Sequence, residues 1–234
     1  MIAIAFALPE ESRDLIAALE HPIRSGSKAL PVVSGTYAGR AVTVFHTGMG
    51  AASASERLRG FWDQYEGALP QAVIGTGFAG GLDPALAAGA LILAENYPDC
   101  LEAARSALGA ERVSVGMLAS TSEVLETPEA KATHALQTGA IAVDMETATV
   151  AAFFREKGVP FLGLRAISDA VGDPLPVPSA VWFNERTQRP RPLALVSFLL
   201  WHPGLIAPFA RFVGHVNRAR RTLTAALLEV IPAL

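Results

Sequence analysis

The chain has 234 residues, 51% hydrophobic and 18% charged, with a formal net charge of −3 and a pI near 6.0. That length supports one sizeable core, and the faintly acidic balance excludes a global basic field of the kind that tracks a nucleic-acid backbone. Cys100 is the sole cysteine, so an internal disulfide is excluded and a reducing, cytoplasmic setting is expected.

Residues 2–8 are a continuous apolar run. The run lacks a basic start, and Glu10 and Glu11 follow at once, so it reads as a buried first strand rather than a signal peptide. Pro9-Glu10-Glu11 opens a helix to about residue 19, with proline in the first turn and acids facing the helix dipole. Residues 32–37 and 41–47 read as a hairpin around Gly39, 51–65 as a helix and 72–76 as a short buried strand. Two further strands are expected at 90–95 and 112–118. A helix follows at 128–137, closed by Thr138-Gly139, and then a brief strand at 141–143. Residues 145–157 read as a helix stopped by Gly158-Val159-Pro160. Residues 161–167 read as a strand running into Ser168-Asp169. Apolar runs of this length without polar alternation fit an α/β fold with a sheet covered on both faces.

The last quarter has a different character. Residues 175–234 carry seven Arg and two Glu but no Lys or Asp, about +5 against about −8 for the rest. Residues 192–210 contain no Asp, Glu, Lys or Arg. The breaks at His202-Pro203-Gly204 and Pro208 leave pieces too short to cross a bilayer. Arg211, Arg218, Arg220 and Arg221 follow. Two readings stand open: packing against the body or a second subunit, and an interfacial patch on a membrane.

Several enzyme signatures are missing. There is no Gly-x-Ser-x-Gly elbow, no His-Glu-x-x-His or paired-cysteine metal box, and no Walker loop. Gly75, Gly77 and Gly80 have dinucleotide-fingerprint spacing, but that fingerprint requires a helix to begin there. Here Gly81-Leu82-Asp83-Pro84 and another strand follow, so the glycines are read as allowing close approach of backbone to a ligand. Thr47-Gly48-Met49-Gly50 does sit between strand and helix. It is either a plain tight turn or a helix N-terminus facing an anion, a sugar hydroxyl or a reactive water.

Three acidic groups stand at strand ends: Glu10-Glu11, Asp144 with Glu146, and Asp169. In a parallel sheet such ends share one rim, where open α/β folds bind ligands. Several carboxylates there point to acid–base work on an uncharged or cationic centre. Each has a local alternative. Glu11 and Glu146 suit helix dipoles, Asp144 suits an N-cap for the following helix, and Asp169 and Asp173 suit turn caps.

Asp144-Met145-Glu146-Thr147-Ala148 and Arg165-Ala166-Ile167-Ser168-Asp169, with segments 4–11, 47–52, 76–89 and 143–151, resemble the nucleoside phosphorylase and nucleosidase superfamily. Within it they are most similar to the methylthioadenosine/S-adenosylhomocysteine nucleosidases. The resemblance spans about residues 2–173. It implies a three-layer α/β/α fold around a mixed, partly closed central sheet. By position, Asp169 corresponds to the acid that protonates purine N7, with Ser168 orienting it. Glu146 corresponds to the ligand of the ribose hydroxyls, with Met145 packed on the sugar, and Glu11 to the group that positions an attacking water. Gly48 and Gly50 fall in the sugar-side turn. No metal or organic cofactor is implied, the substrate is a small nucleoside, and a homodimer or larger homo-oligomer is expected.

The chain departs from the family in three places. Phe78 stands where serine is common. Val124-Leu125 replaces Phe-Ile in the base loop, removing an aromatic stacking partner. The arginine before the Gly-rich strand end of phosphate-using members is absent, with Ile74 nearby, which favours hydrolysis. The tail around Arg189-Pro190-Arg191-Pro192 and Trp201-His202-Pro203-Gly204-Leu205 resembles hopanoid-associated phosphorylase-like proteins, thought to remove adenine from an adenosyl-hopane lipid. The expected arrangement is a nucleosidase-like core over residues 1–174, extended by an apolar, Arg-rich helical segment of the same domain over 175–234. The expected activity is hydrolytic release of adenine from a 5′-modified adenosine. A phosphate-dependent phosphorylase and a non-catalytic nucleoside-binding protein are the alternatives.

Overall fold

Strand β1 (Ile2–Phe6) is apolar at every position because both faces of the sheet are covered. Ile2, Ile4 and Phe6 enter one hydrophobic cluster, whereas Ala3 and Ala5 enter another on the opposite face. This is the two-residue period of a strand buried on both sides. The computed structural model describes residues 1–27, 30–65, 67–184 and 186–234.

After β1 come α1 (Pro9–Ala18), β2 (Glu20–Gly26), β3 (Pro31–Tyr37), β4 (Arg40–His46), α2 (Ala51–Asp63), β5 (Ala72–Gly81), β6 (Leu91–Ala94) and α3 (Leu101–Leu108). Then follow β7 (Val113–Gly116), β8 (Leu118–Ser120), α4 (Pro128–Thr138), β9 (Ala142–Asp144), α5 (Thr147–Glu156) and β10 (Phe161–Asp169). These ten strands form one mixed sheet in the order β2-β3-β4-β1-β5-β10-β6-β7, with β9 added to the end of β5 and β8 to β9. Leu15 of α1 and Ala104 and Leu108 of α3 cover one face. Leu58 and Phe61 of α2 and Val150 and Phe154 of α5 cover the other.

Strands β4, β1, β5 and β10 run parallel, so their C-terminal ends share a rim. The rim needs one amendment to the parallel-sheet expectation: β9 is antiparallel to β5, pairing Gly80 with Val143 and Gly81 with Ala142. Asp144 and the turn after it therefore arrive from the opposite direction, folded back over the rim.

Two strands are longer than expected. β5 runs for ten residues and absorbs all the glycines of the Gly75–Gly80 stretch, so no helix starts there. Gly75 is required by packing, since a Cβ there would lie 2.3 Å from the ring of Phe161 on β10. β10 continues through Ser168 and Asp169, with a bulge between Ile167 and Asp169. A bulge re-aims side chains, and this one sits at the residues of greatest chemical interest. By contrast α5 starts at Thr147 rather than 145, leaving Met145 and Glu146 in the turn.

The tail comprises α6 (Ser179–Trp182), a two-strand hairpin of β11 (Phe183–Asn184) and β12 (Arg189–Pro190), α7 (Pro192–Trp201), a 3₁₀ turn Pro203–Leu205, and α8 (Ile206–Val230). The expected break at His202–Gly204 is present. Pro208 breaks nothing, because it sits in the first turn of α8, where backbone N–H groups lack helical partners anyway. Ala219, Leu223, Ala226, Leu227 and Val230 of α8 are fully buried against the sheet. Among the described residues, no single helix is long and apolar enough to cross a membrane.

Candidate active site

The rim opens into a cavity of about 520 Å³. Glu11, Phe78, Val124, Leu125, Met145, Glu146, Ser168 and Asp169 all line it. Gly48 and Gly50 do not line it; Met49 between them does. Their φ values of +74° and +85° shape the turn instead. A Cβ on Gly48 would meet Ser53 Oγ at 2.1 Å.

Glu11 stands in the first turn of α1 and is buried. Its Oε2 accepts from the Leu8 N–H at 2.8 Å and its Oε1 from the Phe78 N–H at 2.9 Å. Neighbouring Gly77 has φ +142° and no room for a side chain, since a Cβ would lie 2.6 Å from Glu11 Oε1. Burial raises the Glu11 pKa above the ordinary value; the two N–H donors and the Arg165 charge oppose the rise without cancelling it.

Glu146 accepts from the Gly50 N–H at 2.6 Å, which ties the β9–α5 turn to the β4–α2 turn. Burial, and then the charge of nearby Asp144, push its pKa up. Asp144 itself is the most heavily bonded acid at the rim. It accepts from Ser120 Oγ at 2.7 Å, from Arg165 Nη2 at 2.7 Å and Nε at 3.0 Å, and from the Thr147 hydroxyl. The Thr147 N–H also reaches it at 3.1 Å, but the helix begins at Thr147 with Glu146 in the N-cap position, so Asp144 is not the N-cap the sequence suggests. Asp144 also forms a buried ion pair with Arg165, a partner not evident from the sequence.

Asp169 is held at both oxygens. Ser168 Oγ donates to Oδ1 at 2.5 Å, and Lys131 Nζ donates to Oδ2 at 2.5 Å. Lys131 lies on α4, is 1% exposed and lines the cavity. It has no place in the sequence reading, because a lysine in an ordinary helix carries no local mark of such a partner. Asp173, expected to cap a turn, accepts from the Ala170 N–H at 3.2 Å.

The tail completes the wall. Leu175, Trp182, Phe183, Pro190, Phe212 and Val216 contribute an apolar side to the cavity. Gln188, at the tip of the β11–β12 hairpin, accepts from the Met49 N–H at 2.7 Å and donates to the Met49 carbonyl at 3.0 Å. The hairpin is thereby strapped onto the Gly48–Gly50 turn.

A family model described as the phosphorylase superfamily matches residues 1–106 and 98–197. The chain belongs to the phosphorylase superfamily. Among its superfamily relatives, the 5′-methylthioadenosine/S-adenosylhomocysteine nucleosidase of Lysinibacillus sphaericus is 28% identical over 204 residues, covering 73% of this chain and 86% of that one. The Shewanella oneidensis protein of the same name is 27% identical over 207 residues, covering 75% and 86%. The fold superposes with a TM-score of 0.73 on the Neisseria meningitidis nucleosidase of that name, solved with methylthio-immucillin-A, at 18% identity over 100% of this chain and 99% of that one. It superposes with a TM-score of 0.69 on the futalosine hydrolase of Helicobacter pylori, also at 18% identity, over 100% and 97%. These superpositions speak to fold. They agree with a mixed sheet flanked by helices as the superfamily architecture.

Proposed function

We propose that the protein hydrolyses the N-glycosidic bond of a 5′-modified adenosine and releases adenine. The observation that carries this reading is the convergence of Glu11, Glu146 and the Ser168–Asp169 pair on one cavity, within a superfamily whose relatives here are named nucleosidases. Loss of a purine leaves a cationic sugar and an anionic base. Asp169, oriented by Ser168, protonates N7 and makes the base a better leaving group. Glu146 binds the ribose hydroxyls with Met145 against the sugar, and its carboxylate favours positive charge developing on the ring. Glu11, with its proton affinity raised by burial, positions the water and takes its proton.

Water is favoured over phosphate as nucleophile. Lys131 is the one Lys or Arg among the described residues lining the cavity, and it is paired with Asp169. Arg165 is bound to Asp144. The wall made by Trp182, Phe183, Phe212 and Val216 presents no charged group to pair with the amino-acid end of S-adenosylhomocysteine. It suits an apolar 5′ substituent, from methylthio to a lipid such as the hopane of the adenosyl-hopane compounds.

In this reading residues 175–234 are a substrate-side extension of one domain. Helix α7 has no buried residue, with Leu193 85%, Leu200 74% and Trp201 82% exposed. Arg189 and Arg191 flank its start. An apolar face with a basic rim fits the interface of an anionic membrane, and in this reading the protein is membrane-peripheral and draws a lipid-linked nucleoside from the bilayer; a cytoplasmic homo-oligomer is what the family resemblance adds.

The test is to incubate the protein with methylthioadenosine, S-adenosylhomocysteine, adenosine, inosine and an adenosyl lipid, with and without phosphate, and to measure free base. Adenine from the apolar 5′ substrates without phosphate is expected. No base from any of them would overturn the activity, and release only with phosphate would overturn the hydrolytic step.

A further inference from the structure

Lys131 is the only buried residue of α4. Taking an ammonium out of water costs several kcal/mol unless its partners compensate. Here the compensation is complete: Nζ donates to Asp169 Oδ2 at 2.5 Å, to the Ala170 carbonyl at 2.8 Å and to the Asp173 carbonyl at 3.0 Å. Three hydrogens meet three acceptors. The arrangement is also complete with one proton fewer. If the hydrogen facing Asp169 crosses to Oδ2, the remaining amine keeps two N–H groups on two carbonyls and turns its lone pair to the new carboxylic acid. No donor is stranded in either state.

The geometry points to Lys131 as the source of the proton that Asp169 delivers to the departing base. This rests on the nucleosidase reading and adds a residue to it. An acid that protonates N7 must hold a proton, yet both oxygens of Asp169 already accept hydrogen bonds, from Ser168 and from Lys131. The Lys131 proton resolves this. It moves to Oδ2, and the carboxylic acid passes a proton to N7 as the C1′–N9 bonding pair withdraws into the purine. Water adds at C1′ and gives a proton to Glu11. Afterwards Glu11 returns that proton to solvent and Nζ takes one back, so the sum is nucleoside plus water to free sugar plus neutral base. Lys131 acts through Asp169 and need not touch the substrate.

A purely structural role is the competitor, since the same contacts tie α4 to the chain after β10. The two are separated by the leaving group. A purine nucleoside needs protonation, whereas 4-nitrophenyl β-ribofuranoside departs as a stable phenolate and does not. Lys131→Met and Lys131→Gln are compared with the wild type on methylthioadenosine and on the nitrophenyl riboside. Both variants are expected to lose at least 100-fold in kcat on the purine substrate and less than 10-fold on the nitrophenyl riboside. Lys131→Arg keeps the charge but holds its proton far more tightly, so it is expected not to restore purine cleavage. Parallel losses on both substrates, a variant with wild-type purine turnover, or rescue by Lys131→Arg would each overturn the proton-source role while leaving the nucleosidase reading intact. A wild-type protein that releases no base would overturn that reading and this inference together.

Discussion

At the residue scale the site is a set of carboxylates given different tasks by their surroundings. Asp169 has a hydroxyl and an ammonium, Glu146 one backbone N–H and a like-charged neighbour, and buried Glu11 two backbone N–H groups. Asp169→Asn removes the transferable proton and the charge that balances buried Lys131, so kcat for adenine release should fall by about 10²–10⁴-fold and the fold should lose stability as well. Single-turnover assays with methylthioadenosine check this, and near-normal turnover would exclude the proton-donor role. The raised proton affinity of Glu11 sets a second expectation. A base must be ionised, so kcat/KM should decline on the acid side at a pH above the ordinary carboxylate value of 4.5. Glu11→Gln should lose most of the activity, while the acid limb set by Glu146, whose pKa burial pushes up to about 8, should remain in what is left. Glu11, Glu146 and Asp169 were legible in the sequence because each sits at a strand end within a recognisable run of residues. Lys131 and Arg165 were not legible as partners. Their acids lie 38 and 21 residues away along the chain, and only the folded sheet brings them together.

At the element scale, apolar runs disclosed the central strands, because burial on both faces demands hydrophobic side chains at every position. β2 escaped notice, being exposed throughout at the sheet edge with no alternation to read. α3 escaped as well, although Leu101, Ala104 and Leu108 fall on one helical face. The tail shows a subtler limit. Its most apolar stretch, α7, is the exposed one, whereas the Arg-bearing α8 supplies the core. Along α8 the arginines lie off the buried stripe, and Arg220 reaches Asp14 of α1 at 2.7 Å, which holds the Asp14 carboxyl below its usual range. Hydrophobicity therefore does not track burial here. Leu223→Ala in α8 should cost about 2–5 kcal/mol in urea unfolding, through lost transfer energy and the cavity left behind. Leu193→Ser in α7 should change stability by less than about 0.5 kcal/mol. Paired with Trp201→Ser, it should also weaken sedimentation with anionic vesicles while leaving cleavage of a soluble nucleoside intact. A large stability loss in the α7 variants would mean that the face is already covered within the protein.

At the scale of the whole molecule, the buried titratable groups oppose one another in their effect on folding. His46 at the end of β4 is buried, shares a 2.7 Å hydrogen bond with Ser12 Oγ, and has its pKa lowered to about 4 by burial and then by the Arg57 charge. Its other ring nitrogen has no hydrogen-bond partner among the described residues. Below its unfolded value of about 6.5 the unfolded chain takes up a proton that the fold refuses, so stability is lost as pH falls from about 6.5 to about 4. The full loss from this one group is about 3 kcal/mol. Glu11 and Glu146 act in the other direction. Their raised proton affinities favour the fold at low pH, and that contribution fades as pH climbs above 4.5, where the unfolded carboxylates ionise freely. Stability should therefore peak in the mildly acidic range rather than at alkaline pH. Replacing one group on each side separates the two effects in urea titrations between pH 4 and pH 9. His46→Leu should flatten the acid side. Glu146→Gln, which keeps an oxygen for the Gly50 N–H, should gain on the order of 1–2 kcal/mol above neutrality while losing affinity for the ribose. An unchanged alkaline profile in that variant would show that Glu146 carries its charge in the empty cavity without cost, and the site would then lack the tension between stability and function that its buried acids imply.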